Sequence, residues 1–154
     1  MKKSEITDLD EFSQRMENHR AYVNRQWQYF AAYLIFNGFI LNVVKELYDK
    51  SQELSSLLVL SSIIISGVSF HLIHWTKMRI YRNAVHINNL SQRVIFELPR
   101  KTRGISFMLE LAVLSLAGCW LYWTYTSGWI YTLIGSFFFL VIMIHSILST
   151  KASQ

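Results

Sequence analysis

Long runs without a charged residue dominate the pattern of polar and apolar positions in this chain. No Asp, Glu, Lys or Arg occurs from residue 54 to 76, or in the forty residues from 111 to 150. A helix of about 20 residues rises roughly 30 Å, the thickness of a bilayer's hydrocarbon core. The pattern therefore predicts an all-α, polytopic membrane helical bundle with four transmembrane helices. The predicted spans are 27–46, 54–75, 105–125 and 129–149.

Two amphipathic stretches, residues 7–26 and 76–104, adjoin the first two predicted spans. In both, apolar side chains recur mainly at three- and four-residue steps with charged residues between them, which is typical of a helix. We predict two cytoplasmic amphipathic helices, too short together to form an independent catalytic domain, in a single membrane domain over residues 1–154. The apolar positions are Leu9, Phe12, Met16 and Val23 in the first stretch and Met78, Tyr81, Val85, Ile95 and Leu98 in the second.

Composition supports a membrane protein. Hydrophobic residues make up 52% of the chain and charged residues only 16%, and a soluble domain of this size cannot hide so much apolar surface. The N-terminus stays polar up to Gln26, unlike a cleaved signal peptide, so the first span is expected to remain in the mature protein. The single cysteine, Cys119, excludes an intramolecular disulfide and is expected to be a small buried apolar residue.

Basic residues predict the orientation in the membrane, because Lys and Arg are retained on the cytoplasmic side. Five lie in residues 1–26, seven in 76–104 and one in the tail, whereas the opposite side carries only Lys45 and Lys50. Both termini and the central segment are therefore expected in the cytoplasm, with the chain in a bacterial inner (plasma) membrane. The short uncharged run 124–128 predicts a tight turn between the last two spans.

Serines recur on one face of the second predicted span, at Ser55, Ser62, Ser66 and Ser69. Small hydroxylated residues allow close helix packing, so this face indicates a packing surface or, alternatively, the wall of a water-lined pore in an oligomer. Asn37 and Asn42 in the first span are expected to find hydrogen-bond partners inside the bundle.

Four ionisable residues fall at a similar depth near the cytoplasmic ends of three spans. An ionisable group at membrane depth is costly unless it is paired, so these residues are expected to interact. The interpretations are a structural hydrogen-bond network, a proton relay or ion gate, and a metal or haem site. The members of this polar cluster are His71, His74, Glu110 and His145.

The basic run Arg100, Lys101 and Arg103 directly precedes the third span, where it is either a determinant of topology or a contact for anionic lipid. The net charge of +5 thus indicates a membrane surface, and no compact basic motif indicates specific nucleic-acid binding. Arg79 and His86 fit a loose ribonuclease spacing that arises easily by chance. The chain has no phosphate-binding loop, nucleophile elbow or metalloprotease motif, so we predict no catalytic residues, no cofactor and no enzymatic activity.

Part of the chain, about residues 10–98, resembles the SLATT-type small membrane effectors of bacterial conflict and antiphage systems. The resemblance implies a membrane-perturbing or membrane-sensing subunit in antiviral defence, and it implies no catalytic residue. The second hairpin, 105–149, is an addition to the pattern of that family. The residues that carry the resemblance are Ser61 to Ser66, Tyr81, Ala84, His86, Leu90, Glu97 and Leu98.

The sequence therefore leads to one expected function and two alternatives. The expected function is a non-enzymatic membrane sensor or pore-type effector, assembled as a homo-oligomer and served by a cytoplasmic protein partner. The first alternative is an immunity protein against a pore-forming bacteriocin, which shares only the architecture of four spans with cytoplasmic ends. The second is a small proton- or ion-coupled carrier.

Overall fold

The described part of the chain folds into four α-helices. A computed structural model describes residues 3–94, 102–127 and 129–152, with side chains over 9–89, 105–126 and 130–148. This confirms the prediction of an all-helical bundle, and each helix is long and apolar enough to cross a membrane. The helices are α1 (Lys3–Leu47), α2 (Gln52–Val94), α3 (Thr102–Ser127) and α4 (Trp129–Ala152).

The helices α1 and α2 are much longer than a bilayer is thick. They contain 45 and 43 residues, so each rises about 65 Å, roughly twice the hydrocarbon core. Each therefore runs without a break from its apolar span into its amphipathic stretch. We call residues 9–26 of α1 and 76–89 of α2 the extensions, and the end of the bundle from which they continue the base.

The extensions pack on each other. Asn83 of α2, which is buried, donates a 2.7 Å hydrogen bond to the backbone oxygen of Arg15 in α1. In the extension of α2 the buried positions are Thr76, Ile80, Asn83 and Ile87, whereas Tyr81 and Val85 are exposed. The buried face is therefore displaced by two residues, about 200° around the helix, from the predicted apolar face of this extension. Asn83, which makes the contact with α1, is polar, so a search for apolar positions did not include it.

A short turn joins α1 to α2 at the end opposite the base. The amide of Tyr48 donates to Val44, and the amides of Lys50 and Ser51 donate to Leu47, which closes α1. Ser51 then caps α2, because its Oγ accepts a 3.3 Å hydrogen bond from the amide of Leu54.

The connection between α3 and α4 is shorter than predicted. The run 124–128 was expected to form the turn, but α3 continues to Ser127 and α4 begins at Trp129. Thr124 and Thr126 donate their hydroxyls to the carbonyls of residues 121 and 123, so these polar side chains are satisfied within the helix. Thr132 of α4 also donates to the hydroxyl of the buried Thr124, at 3.0 Å.

The helix α2 occupies the centre of the bundle, where it contacts α1, α3 and α4. Half of its most apolar stretch is buried, compared with 17% for α4. Glycines allow its close approach to α4. A Cβ at Gly135 would lie 3.0 Å from the side chain of Ile63, and one at Gly67 would lie 3.1 Å from Ile142.

The apolar interior consists of two clusters stacked along the bundle. The one nearer the base, the inner layer, contains Tyr33, Phe70, Ile73, Leu109 and Val113. The one farther away, the outer layer, contains Ile40, Val44, Val59, Ile63, Ala117, Trp120 and Phe139.

Cys119 does not lie in the interior as predicted. It is exposed on the outside of α3, whereas Ala117, two residues earlier, is 1% exposed. Two residues correspond to about 200° around a helix, so the two side chains face opposite ways. Large apolar side chains such as Ile35, Met108 and Phe137 share the outer surface, which fits a surface covered by lipid.

Candidate functional site: a buried carboxylate at the base of the bundle

Glu110 of α3 is a charged residue buried inside the bundle, with 6% of its surface exposed. Its Oε1 lies 2.8 Å from Nδ1 of His74, and its Oε2 accepts a hydrogen bond from Nζ of Lys77. His74 and Lys77 are three residues apart on α2, so they share the face that packs against α3. Each carboxylate oxygen therefore has its own partner. We call Glu110, His74 and Lys77 the carboxylate triad.

The triad is shielded on two sides by aromatic rings. The ring of Phe70 stacks on His74, with centroids 5.8 Å apart and planes 11° from parallel. Lys77 Nζ lies 5.8 Å from the centroid of Phe107, while its side chain is 29% exposed. Lys77 thus reaches from the edge of the bundle to the buried carboxylate. An ion pair in such surroundings is costly to desolvate and very costly to break on one side only.

The chemistry open to the triad is proton transfer. A carboxylate oxygen accepts hydrogen bonds, so Nδ1 of His74 carries the hydrogen in this arrangement. A proton can pass between imidazole and carboxylate across this contact, and the charge of Lys77 stabilises the ionised form of Glu110.

The predicted polar cluster separates into two parts. His74 bonds to Glu110, whereas the rings of His71 and His145 lie beside each other with centroids 5.9 Å apart. Nδ1 of His71 is buried and has no hydrogen-bond partner among the described residues. His71 and His74 are about 60° apart around α2, so one faces α4 and the other faces α3.

The described residues contain no group of three or more His, Cys, Asp or Glu side chains placed to hold a metal ion. Imidazole, carboxylate and ammonium groups at the triad are already paired with each other.

Lys77 was missed as a member of the site by sequence reasoning, which counted it only as a basic residue after the second span. The available signal was its spacing of three from His74 on a helix that continues past residue 75. A lysine at the end of a span also extends its long stem along apolar surface, which lets its charge reach a partner inside.

A second polar contact joins three helices next to the triad. Gln26, 2% exposed, donates from Nε2 to the backbone oxygen of Ile73 at 3.2 Å and accepts from Oγ of Ser106 at 2.9 Å. Ser106 lies one turn before Glu110 on α3. The extension of α1 is thereby linked to the same turns of α2 and α3 that carry the triad.

The four serines of the second span all lie inside the bundle of one chain. Ser66 Oγ is 2.9 Å from the hydroxyl of Tyr33 and donates to the backbone oxygen of Ser62 at 2.7 Å. Ser55 donates to the backbone oxygen of Gln52, and Ser69 is 8% exposed. Ser62 Oγ is fully buried and has no hydrogen-bond partner among the described residues. We call Tyr33, Ser66 and Ser62 the hydroxyl cluster.

The two asparagines of the first span differ. Asn37 is buried, accepts a 2.6 Å hydrogen bond from Nε1 of Trp120 and donates to the backbone oxygen of Tyr33. Asn42 is exposed on the outside of α1, contrary to the expectation that both side chains lie in the bundle. The side chains of Arg100, Lys101 and Arg103 lie outside the described residues, so the predicted lipid contact has no structural description.

Comparisons with known proteins give no relative for this chain. No family model matches it, and no curated protein or solved structure matches it either.

Proposed function

We propose that this chain is a non-enzymatic sensor or pore-type effector of the bacterial inner membrane that serves in antiviral defence. One observation carries the proposal: α1 and α2 each continue as an unbroken helix from an apolar span into a paired extension. A rigid helix transmits a displacement at one end to the other. A partner that moves the extensions therefore acts directly on the membrane part of the bundle.

The charge of the extensions supports the action of a cytoplasmic protein partner on them. Of the 15 Lys and Arg residues, five lie in residues 1–26 and seven in 76–104, and cytoplasmic segments retain such residues. Both extensions are therefore assigned to the cytoplasm, where a protein partner can reach them. The SLATT-type resemblance of residues 10–98 covers these same two helices.

The carboxylate triad supports a switch between two states of the bundle. It joins α2 to α3 beside the contact of Gln26 with Ser106, so the base of all three helices is held by buried polar bonds. Such bonds are strong when every group is satisfied and weak when one group is lost. Separation of the extensions removes partners from this network and favours an open arrangement.

The experiment is inducible expression of the full chain in a bacterium, with membrane potential followed by a voltage-sensitive dye and growth followed in parallel. We expect depolarisation that precedes growth arrest, because loss of the ion barrier is the primary event. Asn83→Ala, which removes the contact with Arg15, tests the coupling, and Asn42→Ala, at an exposed position of α1, is the matched control. We expect only Asn83→Ala to change the depolarisation and the growth arrest.

The bacteriocin-immunity alternative gives the opposite result. Expression is then harmless, and cells gain protection against one pore-forming bacteriocin. That pair of results contradicts the proposal.

A proton- or ion-coupled carrier is the second function that a specific observation favours. The observation is Glu110, an ionisable group held inside the apolar part of the bundle with a histidine and a lysine. A carrier moves its substrate without collapse of the membrane potential, so the same dye measurement separates a carrier from an effector.

A further inference from the structure

We infer that the path opened in this bundle is a proton path inside a single chain, between α1, α2 and α3, and that two apolar layers close it in the described state. The inference rests on the proposed function and specifies what crosses the membrane and where. Its stations are the carboxylate triad and the hydroxyl cluster. Its barriers are the apolar side chains of the inner and outer layers. Tyr33 contributes its ring to the inner layer and its hydroxyl to the hydroxyl cluster.

The order of these groups along α2 gives the path its direction. Lys77 and His74 lie at the base, Phe70 follows in the inner layer, and Ser66 and Ser62 come next. From His74 to Ser66 is eight residues, about 12 Å of helix. The same order holds on α3, where Glu110 precedes Val113. The outer layer begins with Ile63, beside Ser62, and continues with Val59 beyond it.

The hydroxyl cluster has the features of a site that can hold a water molecule or pass on a proton. Tyr33 is 2% exposed, and Ser62 and Ser66 are fully buried. The tyrosine hydroxyl donates to Ser66, which donates to the backbone oxygen of Ser62. Ser62 Oγ is left without a partner among the described residues, although a buried hydroxyl in apolar surroundings is costly when unpaired. It has a free donor and a free acceptor for an entering water.

The chemistry of the stations favours protons over larger ions. A hydroxyl accepts a proton on its oxygen while it releases its own hydrogen as a proton to the next group. Each hydroxyl is therefore unchanged after a proton has passed. At the base, Glu110 takes a proton from water and later returns it, with the imidazole of His74 and the ammonium group of Lys77 as its neighbours. A hydrated metal ion needs a wide pore, whereas a proton needs only a single file of waters across each layer.

The two layers act as barriers in series. Apolar constrictions gate by excluding water, so each layer alone blocks the path. Val113 in the inner layer and Val59 in the outer layer are both fully buried. Hydration of one layer leaves the other as the limiting barrier. Hydration of both layers removes the block.

The test uses purified protein in liposomes that contain a pH-sensitive dye, with proton uptake driven by a potassium gradient and valinomycin. Val113→Ser and Val59→Ser each make room for water and supply a hydroxyl. We expect each single variant to change the proton flux by less than about twofold and the double variant to raise it about tenfold, because only the double variant hydrates both barriers.

Two matched controls separate the effect of the added hydroxyls from the effect of looser packing. Val113→Ala with Val59→Ala removes similar volume without a hydroxyl, and an apolar cavity stays dry, so this pair should remain tight. In the double serine variant, Ser62→Ala should return the flux towards the parent value. Ser61→Ala, at the exposed neighbouring position, should leave the flux raised.

The outcomes separate the path from the proposed function. A double serine variant that melts like the parent and conducts no faster overturns the path, as does a raised flux in the double alanine variant. If the parent chain depolarises cells while the double serine variant stays tight, the effector function holds and the path is wrong. If the variant conducts but the parent never depolarises cells, the path holds without that function.

Discussion

Trp120 of α3 donates a 2.6 Å hydrogen bond from Nε1 to Oδ1 of Asn37 in α1, and both side chains are buried. A polar pair of this kind inside an apolar bundle fixes the rotation of two helices relative to each other. Together with the contact of Ser106 with Gln26, it links α1 directly to α3.

Removal of the indole donor should therefore weaken the bundle. Trp120→Phe keeps an aromatic ring but leaves Oδ1 of Asn37 unpaired, and we expect a loss of about 0.6–2 kcal/mol in unfolding free energy. Asn37→Leu in the same chain should restore part of the loss, because no buried acceptor remains. Trp27→Phe, at a 47% exposed position, is the control. Thermal unfolding in detergent measures all four proteins, and equal melting of the Trp120 and Trp27 variants contradicts the prediction.

The glycine contacts between α2 and α4 give a second prediction. Gly135→Val places new atoms against Ile63 and Leu60, whose side chains would already lie 3.0 and 3.3 Å from a Cβ there. Such overpacking typically costs about 1–3 kcal/mol. Gly118→Val is the matched control, since a Cβ at Gly118 meets nothing within 4 Å. The unfolding temperature in detergent should fall for Gly135→Val only.

The four apolar helices were predictable from sequence because charged residues are excluded from their apolar stretches. The partner of Glu110 was only half predictable. His74 shared its estimated depth, but so did His71, and the choice between them depends on which neighbour α2 presents to each face. Lys77 was counted only as one of the basic residues that predict the orientation, so its contact with Glu110 was not expected. Likewise, composition placed Cys119 in the interior, and only the rotation of α3 shows that it faces outward.

The orientation of the chain gives a third prediction. A reporter that is active only outside the cytoplasm should be active when fused after Gln52 and silent when fused after Asn89 or Gln154. The reason is the retention of basic segments inside, with 13 of 15 Lys and Arg residues in the N-terminal segment, central segment and tail. Western blots of each fusion control for expression. Activity after Asn89 contradicts the four-span arrangement.

The last prediction concerns Glu110. It distinguishes a triad that only holds α2 against α3 from a triad that also transfers protons. Glu110→Ala leaves His74 without its acceptor and Lys77 without its counter-charge. We expect a loss of about 1–3 kcal/mol in unfolding free energy, in the lower range for breaking a buried pair because Lys77 is 29% exposed and can reach water. Glu110→Gln retains one oxygen acceptor of similar shape, so it should unfold closer to the parent. Glu46→Ala, at an exposed position of α1, should unfold like the parent.

Activity separates the two roles of Glu110 because the amide of Gln cannot take and return a proton as the carboxylate does. If the triad only holds α2 to α3, depolarisation by Glu110→Gln should follow its modest change in stability. If the triad relays protons, Glu110→Gln should assemble like the parent in detergent. Both Glu110→Gln and Glu110→Ala should nevertheless abolish the added proton flux when they are combined with Val59→Ser and Val113→Ser in liposomes. If Glu110→Ala folds like the parent and leaves the flux of the double serine variant unchanged, the carboxylate contributes neither packing nor chemistry, and the site would have to be abandoned.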